Sequence, residues 1–151
     1  MNGTSEFDSL CEIIRILRSE NGCPWDKAQT HSSMEQCLID ESAELIAAIR
    51  IYEKSGSYEN MCEELGDVLF QVIMHAQIAQ EEGLFTIEDV IKEISQKMIR
   101  RHPHVFAGED QSKSWNEIKQ MEQKERPILS ASKEEKRALA EEISQAVADQ
   151  I

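Results

Sequence analysis

The segment LIDESAELIAAI, residues 38–49, sets charge against its own apolar face. Leu38, Leu45, Ala48 and Ile49 recur at the spacing of a buried helical stripe. Glu41 and Glu44 stand at the edge of that stripe, three residues apart and therefore on one face. The segment CEELGDVLFQV, residues 62–72, repeats the arrangement, with Glu64 and Asp67 flanking Leu65, Val68, Leu69 and Val72. Nineteen residues separate Glu44 from Glu64, and they include the breaker Ser55-Gly56-Ser57. This spacing predicts two helices folded back on one another as an antiparallel hairpin. Four carboxylates then converge between two helices, beside apolar side chains. Ions placed there repel one another and lose hydration, so the arrangement requires compensation.

One Glu-x-x-Glu in an acidic chain is ordinarily a solvated face. Two such pairs, on paired helices and both beside a core stripe, point instead to a hard divalent cation with oxygen ligands. Mg²⁺ fits best, with Mn²⁺ as a substitute. A di-iron bundle would need Glu-x-x-His on two helices, and none of the histidines at 31, 75, 102 and 104 has Glu three residues before it.

The remaining composition narrows the setting. A chain of 151 residues is long enough for a real core, and its 40% hydrophobic content suits a globular domain. With 3 Pro, 6 Gly and few β-branched runs, the chain is predicted to be all-α. A net charge of −13 disfavours nucleic-acid and membrane-surface binding, while leaving room for an anionic small substrate at a neutralised site. Cys11, Cys23, Cys37 and Cys62 form no CxxC pair and no zinc spacing, which predicts reduced cytosolic thiols. The start MNGTSEFDSL lacks the basic and apolar regions of a signal peptide, and no apolar run approaches a membrane span. A cytoplasmic location is expected.

Along the chain, the first helix is expected over about 7–20, with Phe7, Leu10, Ile13, Ile14 and Leu17 facing inward. NGCPWDKAQTHSS reads as a loop. Ser32 or Ser33 can cap a second helix to about Tyr52, and a third spans about 58–82 before Gly83. Thr86 and Asp89 predict the cap of a fourth helix, which ends near Arg101 because Pro103 forbids continuation. Gly108 to Ser112 reads as a polar loop, and a fifth helix covers about 113–125. Pro127 marks a boundary, dividing a domain over 1–126 from a polar tail helix over 127–151 with a thin stripe at Leu139, Ile143 and Val147.

With those motifs in place, a resemblance emerges. DESAE (40–44) followed by ELGD (64–67) resembles the signature of the MazG family of all-α nucleoside triphosphate pyrophosphohydrolases. GCPWDKAQTH (22–31), GDVLFQVIMHAQIAQEEG (66–83) and RRHPHVF (100–106) agree with it, and the match covers about 7–125. One departure is visible: Asp40 stands where the family's first Glu usually sits, one methylene shorter. The resemblance implies a single-domain form built as a helical bundle around the hairpin and completed by dimerisation or higher homo-oligomerisation. It implies Mg²⁺-dependent hydrolysis of (d)NTPs to monophosphate and pyrophosphate, an activity suited to clearing unwanted nucleotides. Glu41, Glu44, Glu64 and Asp67 would be the metal-binding and catalytic residues, and either Glu63 or Asp40 the proton acceptor. Two rivals remain: a phosphoribosyl-ATP pyrophosphohydrolase and a non-enzymatic acidic helical interaction module.

A triphosphate also needs basic partners. Lys97 and Arg101, four apart beside Arg100, are candidate phosphate ligands or complements of a helix C-terminus. His102 and His104 read as structural. Trp115 and Lys119 share a face of the fifth helix, which the resemblance places over the substrate with Lys119 near phosphate; Trp115 reads equally as a packing anchor. In CPWDKAQT, Trp25 can stack on a base while Asp26, Gln29 or Thr30 reads its edge, or Trp25 can fill the core. Cys23 has no paired base and reads as structural.

Overall fold

The computed structural model describes residues 3–108, 113–126 and 132–149, and among them there is no strand. Helix α1 (Glu6–Leu17) opens on a capping box between Ser5 and Asp8. It stops three residues short of the expected end because the chain turns back on itself, with the Cys23 N–H bonding to the Leu17 carbonyl at 2.8 Å. That turn passes so close to α1 that a Cβ on Gly22 would collide with the carbonyls of Ile16 and Leu17.

The segment read as a loop contains a short helix, α2 (Pro24–Ala28). The restriction before a proline acts on Cys23 alone, and Pro24 itself occupies the first helical position, where its fixed φ is an advantage. A 3₁₀ turn (Ser32–Met34) leads into α3 (Glu35–Ser55), which Gly56 ends in the left-handed conformation at φ 76°. Helix α4 (Glu59–Glu81) follows after three residues, so α3 and α4 run antiparallel, and they pack along one another. Gly83, at φ 73°, terminates α4 through paired bonds from Gly83 N–H to Gln80 and Leu84 N–H to Ala79. Thr86 and Asp89 exchange the expected capping bonds at the start of α5 (Ile87–Arg101). Pro103 then begins α6 (Pro103–Phe106), and Ser114 with Glu117 caps α7 (Trp115–Glu125). Helix α8 (Lys133–Asp149) accounts for the expected tail helix, while residues 109–112 and Pro127 lie outside the described residues. No helix among the described residues is long and apolar enough to cross a membrane.

The chain divides into two compact units, Met1–Glu93 and Ile94–Ile151. The first contains the core: Ile14, Met34, Ile73, Met74 and Ile78, flanked by Phe7, Leu10, Cys11, Phe70 and Ile87. The inward face of α4 therefore runs through Gln71, Met74 and Ile78 in its C-terminal half. The stripes expected to be buried are largely open. Ala48 is buried, but Leu38 and Ile49 on α3 and Leu65, Leu69 and Val72 on α4 are exposed, as is Ile13 on α1. Leu65, Leu69 and Val72 form a second apolar line beside the core line, each at least 38% exposed.

Polar contacts tie down the far end of α4. The buried Arg18 guanidinium bonds through Nε to Glu81 at 2.7 Å, and through Nη1 to the carbonyls of Asp26 and Gln29 at 2.6 and 3.0 Å. Nearby, His31 and His75 share a 2.8 Å bond between their Nδ1 atoms, and His31 Nε2 lies 3.6 Å from Glu82. His75 Nε2 is buried without a hydrogen-bonding partner among the described residues. Burial first, and then the charge of His31, hold the His75 imidazole below its ordinary pKa.

This depression has a defined sign. An unfolded imidazole takes up its proton near pH 6.5, whereas native His75 resists it. Its contribution to stability is thus fully present above about pH 6.5 and is lost as pH falls from there toward the lower native value. Chemical denaturation between pH 8 and 5 should show the parent losing more stability on acidification than His75→Gln. Parallel curves for the two proteins would refute the assignment.

Candidate active site

The hairpin brings together three of the four carboxylates singled out by sequence. One oxygen each from Glu41 on α3 and from Glu64 and Asp67 on α4 lie within 4.8 Å of one another. Glu41 and Glu64 are half-buried and Asp67 is exposed, so the cluster is open on one side. Glu64 Oε2 is buried and has no hydrogen-bonding partner among the described residues. Desolvation raises the Glu64 pKa, and the charges of Glu44, Asp67, Glu41 and Glu63 raise it further. Glu41 is raised by desolvation, then by Asp67, Glu44 and Asp40. Glu44 is exposed and stands outside the group of three, yet its charge reaches both Glu41 and Glu64. Asp40 accepts a bond from Gln36 at 2.8 Å.

This donor set suits a hard cation. All three groups offer oxygen, a bound cation would favour the charged form of each, and Glu64 Oε2 is a buried acceptor with no partner among the described residues.

The CPWD segment is fixed as a platform. Arg18 takes the carbonyls of Asp26 and Gln29, so backbone rather than side chains anchors the turn. Trp25 is 81% exposed, which corrects the core-filling alternative. The Gln29 amide is committed within the loop, donating to the Trp25 carbonyl and accepting from Ser33 Oγ, and Thr30 Oγ1 accepts from Ser33 N–H.

The basic residues belong to the second unit. Lys97 is half-buried on α5, one turn before Arg101. The Arg101 guanidinium carbon lies 4.9 Å from the centre of the Trp115 ring, and Lys119 Nζ lies 5.3 Å from it. His102 is hydrogen-bonded through Nδ1 to the Met98 carbonyl, in keeping with a structural role. One residue went unnoticed in the sequence: Glu122, whose two oxygens are bound by Arg100 and Arg101. Its position three residues after Lys119 and seven after Trp115, on one helical face, was the available signal.

Residues 29–106, just over half of the chain, match the MazG nucleotide pyrophosphohydrolase domain. The chain belongs to the MazG family. It is 52% identical over 118 residues to the nucleoside triphosphate pyrophosphohydrolase/pyrophosphatase MazG of Thermotoga maritima, an alignment covering 77% of this chain and 45% of that protein. It is 40% identical over 134 residues to the nucleoside triphosphate pyrophosphohydrolase of Escherichia coli K12, covering 84% and 49%. It is also 52% identical over 123 residues to the uncharacterized protein YabN of Bacillus subtilis, covering 78% and 24%. The chain thus spans between a quarter and a half of the length of these curated relatives. The MazG match contains all four carboxylates, Gln29, Lys97 and Arg101, while Trp25, Trp115, Lys119 and Glu122 lie outside it.

A cation-binding role for the cluster predicts a thermal signature. Millimolar Mg²⁺ or Mn²⁺ should raise the parent's Tm, at roughly 4 °C per kcal/mol of binding energy. Glu64→Gln should melt higher than the parent without metal, since a repulsive charge is gone, and should gain little when metal is added. Equal metal-induced shifts in both proteins would exclude Glu64 as a ligand.

Proposed function

We propose that this MazG-family chain is a divalent-cation-dependent nucleoside triphosphate pyrophosphohydrolase, cleaving (d)NTPs to the nucleoside monophosphate and pyrophosphate. The observation that supports this best is the convergence of Glu41, Glu64 and Asp67, with Glu64 Oε2 buried and unpartnered among the described residues. The names of the Thermotoga and Escherichia relatives describe the same activity for those proteins. Glu41, Glu64 and Asp67, with Glu44 beside them, would hold Mg²⁺, or Mn²⁺ in its place. Such a cation supplies Lewis acidity toward the phosphate and the attacking water. Glu63 or Asp40, both outside the three-carboxylate group, accepts the proton released by that water. Lys97, Arg101 and Lys119 bind the β- and γ-phosphates, so that pyrophosphate is the leaving group. Trp25 on its platform and Trp115 offer ring faces to the base, and Gln29 lies beside Trp25. The setting proposed is the cytoplasm, with no nucleic-acid or membrane partner.

The exposed lines of Leu38, Ile46 and Ile49 on α3 and of Leu65, Leu69 and Val72 on α4 support a homodimer in which a second copy covers them. Light scattering at micromolar concentration should return at least twice the chain mass of 17.3 kDa. A monomer mass would refute the dimer.

Two variants and one isotope experiment test the chemistry. Glu41→Gln and Asp67→Asn should abolish pyrophosphate release while the fold survives, because neutralising one crowded carboxylate relieves repulsion. Parental turnover by both would remove the cluster from the mechanism. In ¹⁸O-water, label should appear in the nucleoside monophosphate, the mark of attack at the α-phosphorus. Label confined to pyrophosphate or phosphate would place the attack elsewhere.

A further inference from the structure

Arg100 and Arg101 close α5, and their side chains leave the helix in directions about 100° apart. Two adjacent guanidinium groups repel, and in solvent they would separate. Glu122 on α7 prevents this by binding both. Its Oε1 accepts from Arg100 Nε and Nη2 at 2.9 and 2.6 Å, and its Oε2 accepts from Arg101 Nε at 3.0 Å with Nη2 at 2.9 Å. The Glu122 side chain is only 12% exposed. Burial by itself would raise its pKa, but the bonds and charges of Arg101 and Arg100 outweigh burial and keep the carboxyl below the usual range.

Helix α7 therefore grips Arg101 twice, with Glu122 at the Nε–Nη2 edge and the Trp115 ring at the guanidinium face. The Nη1 side of the fork is not engaged by Glu122. Arg100, Arg101 and Lys119 together carry three positive charges against the single negative charge of Glu122. The surplus is positive, in a chain whose net charge is −13.

We infer that Glu122 is a positioning residue, which holds Arg101 so that the outer edge of its guanidinium is presented to the phosphates of a nucleoside triphosphate. The inference rests on the proposed role of Arg101 as a phosphate ligand. Its physical basis is preorganisation: an arginine already ordered at edge and face loses less freedom when it binds an anion. Glu122 itself touches no substrate.

Steady-state kinetics with Mg²⁺ and a nucleoside triphosphate, run on the full chain, separate these roles. Glu122→Gln should raise KM about fivefold to tenfold with kcat within about twofold. Inhibition by inorganic tripolyphosphate, which has no base or sugar, should weaken in parallel. Arg101→Ala should raise KM at least as much, and adding Glu122→Gln to it should change KM little further, because one contact has been removed twice. An equal KM factor in the parent and Arg101→Ala backgrounds would show Glu122 acting through general structure and overturn the inference. So would a lowered KM in Glu122→Gln, which would make the carboxylate a competitor of phosphate. If Arg101→Ala leaves KM unchanged, the phosphate-ligand reading of Arg101 falls and the positioning role falls with it. If Glu122→Gln fails to fold, Glu122→Asp keeps the charge at a shorter reach; an intermediate KM is expected, and a parental KM would refute the role.

Discussion

Repulsion among carboxylates is the constraint around which the first unit is arranged. The pairing of α3 with α4 holds Glu41, Glu64 and Asp67 close together, with Glu44 adding its charge. Apolar burial must offset that repulsion, and it does so elsewhere on the same helix. Glu64 and Asp67 occupy the N-terminal half of α4, whereas Ile73, Met74 and Ile78 anchor its C-terminal half against Ile14 and Met34. One helix thus carries both the strained cluster and the packing that tolerates it, and its continuity transmits support from one end to the other.

Arginine pinned by a distant carboxylate recurs as a fastening device. In the first unit, Arg18 joins the end of α1 to Glu81 on α4 and gathers two carbonyls from the CPWD turn. In the second, Arg100 and Arg101 share Glu122. Arg100 and Arg101 each close through two nitrogens on one Glu122 oxygen. Arg18 satisfies three acceptors at once, which lets an irregular segment be held without apolar bulk. That suits a chain with only 5% aromatic residues. It also explains how Trp25 can remain 81% exposed on a fixed platform.

Local signals in the sequence decide structure where the physics is local. Thr86 with Asp89, Gly83, and the pairing of acidic motifs across a short turn all appear in the fold as periodicity and capping rules require. The rules failed where burial depends on partners remote in the chain. Ile13, Leu38, Leu65 and Leu69 have helical spacing, but spacing alone does not say which of two adjacent apolar lines meets the core. Buried Arg18 and Gln71 run against residue-type expectation, and the Arg18–Glu81 contact joins positions 63 residues apart. The His31–His75 bond is equally non-local. The short helix after Pro24 is not announced by the sequence because the loop signals at residues 21–23 do not govern the residues that follow. In the site, Glu41, Glu64 and Asp67 were legible from their spacing, while Glu122 was hidden by its ordinary appearance on a charged helix.

The hairpin also has a kinetic consequence. Glu41 and Glu64 are 23 residues apart on consecutive helices, so the cluster closes over a short stretch of chain. The core needs more, since Ile14 must reach Met74 and Ile78 across some sixty residues. Contacts of low sequence separation form early in folding. If the hairpin forms before the apolar contacts that steady it, the repulsion falls on the folding transition state as well as on the native protein. A divalent cation held at the cluster, as proposed, would then relieve that repulsion on the way to the native state, speeding folding in addition to slowing unfolding.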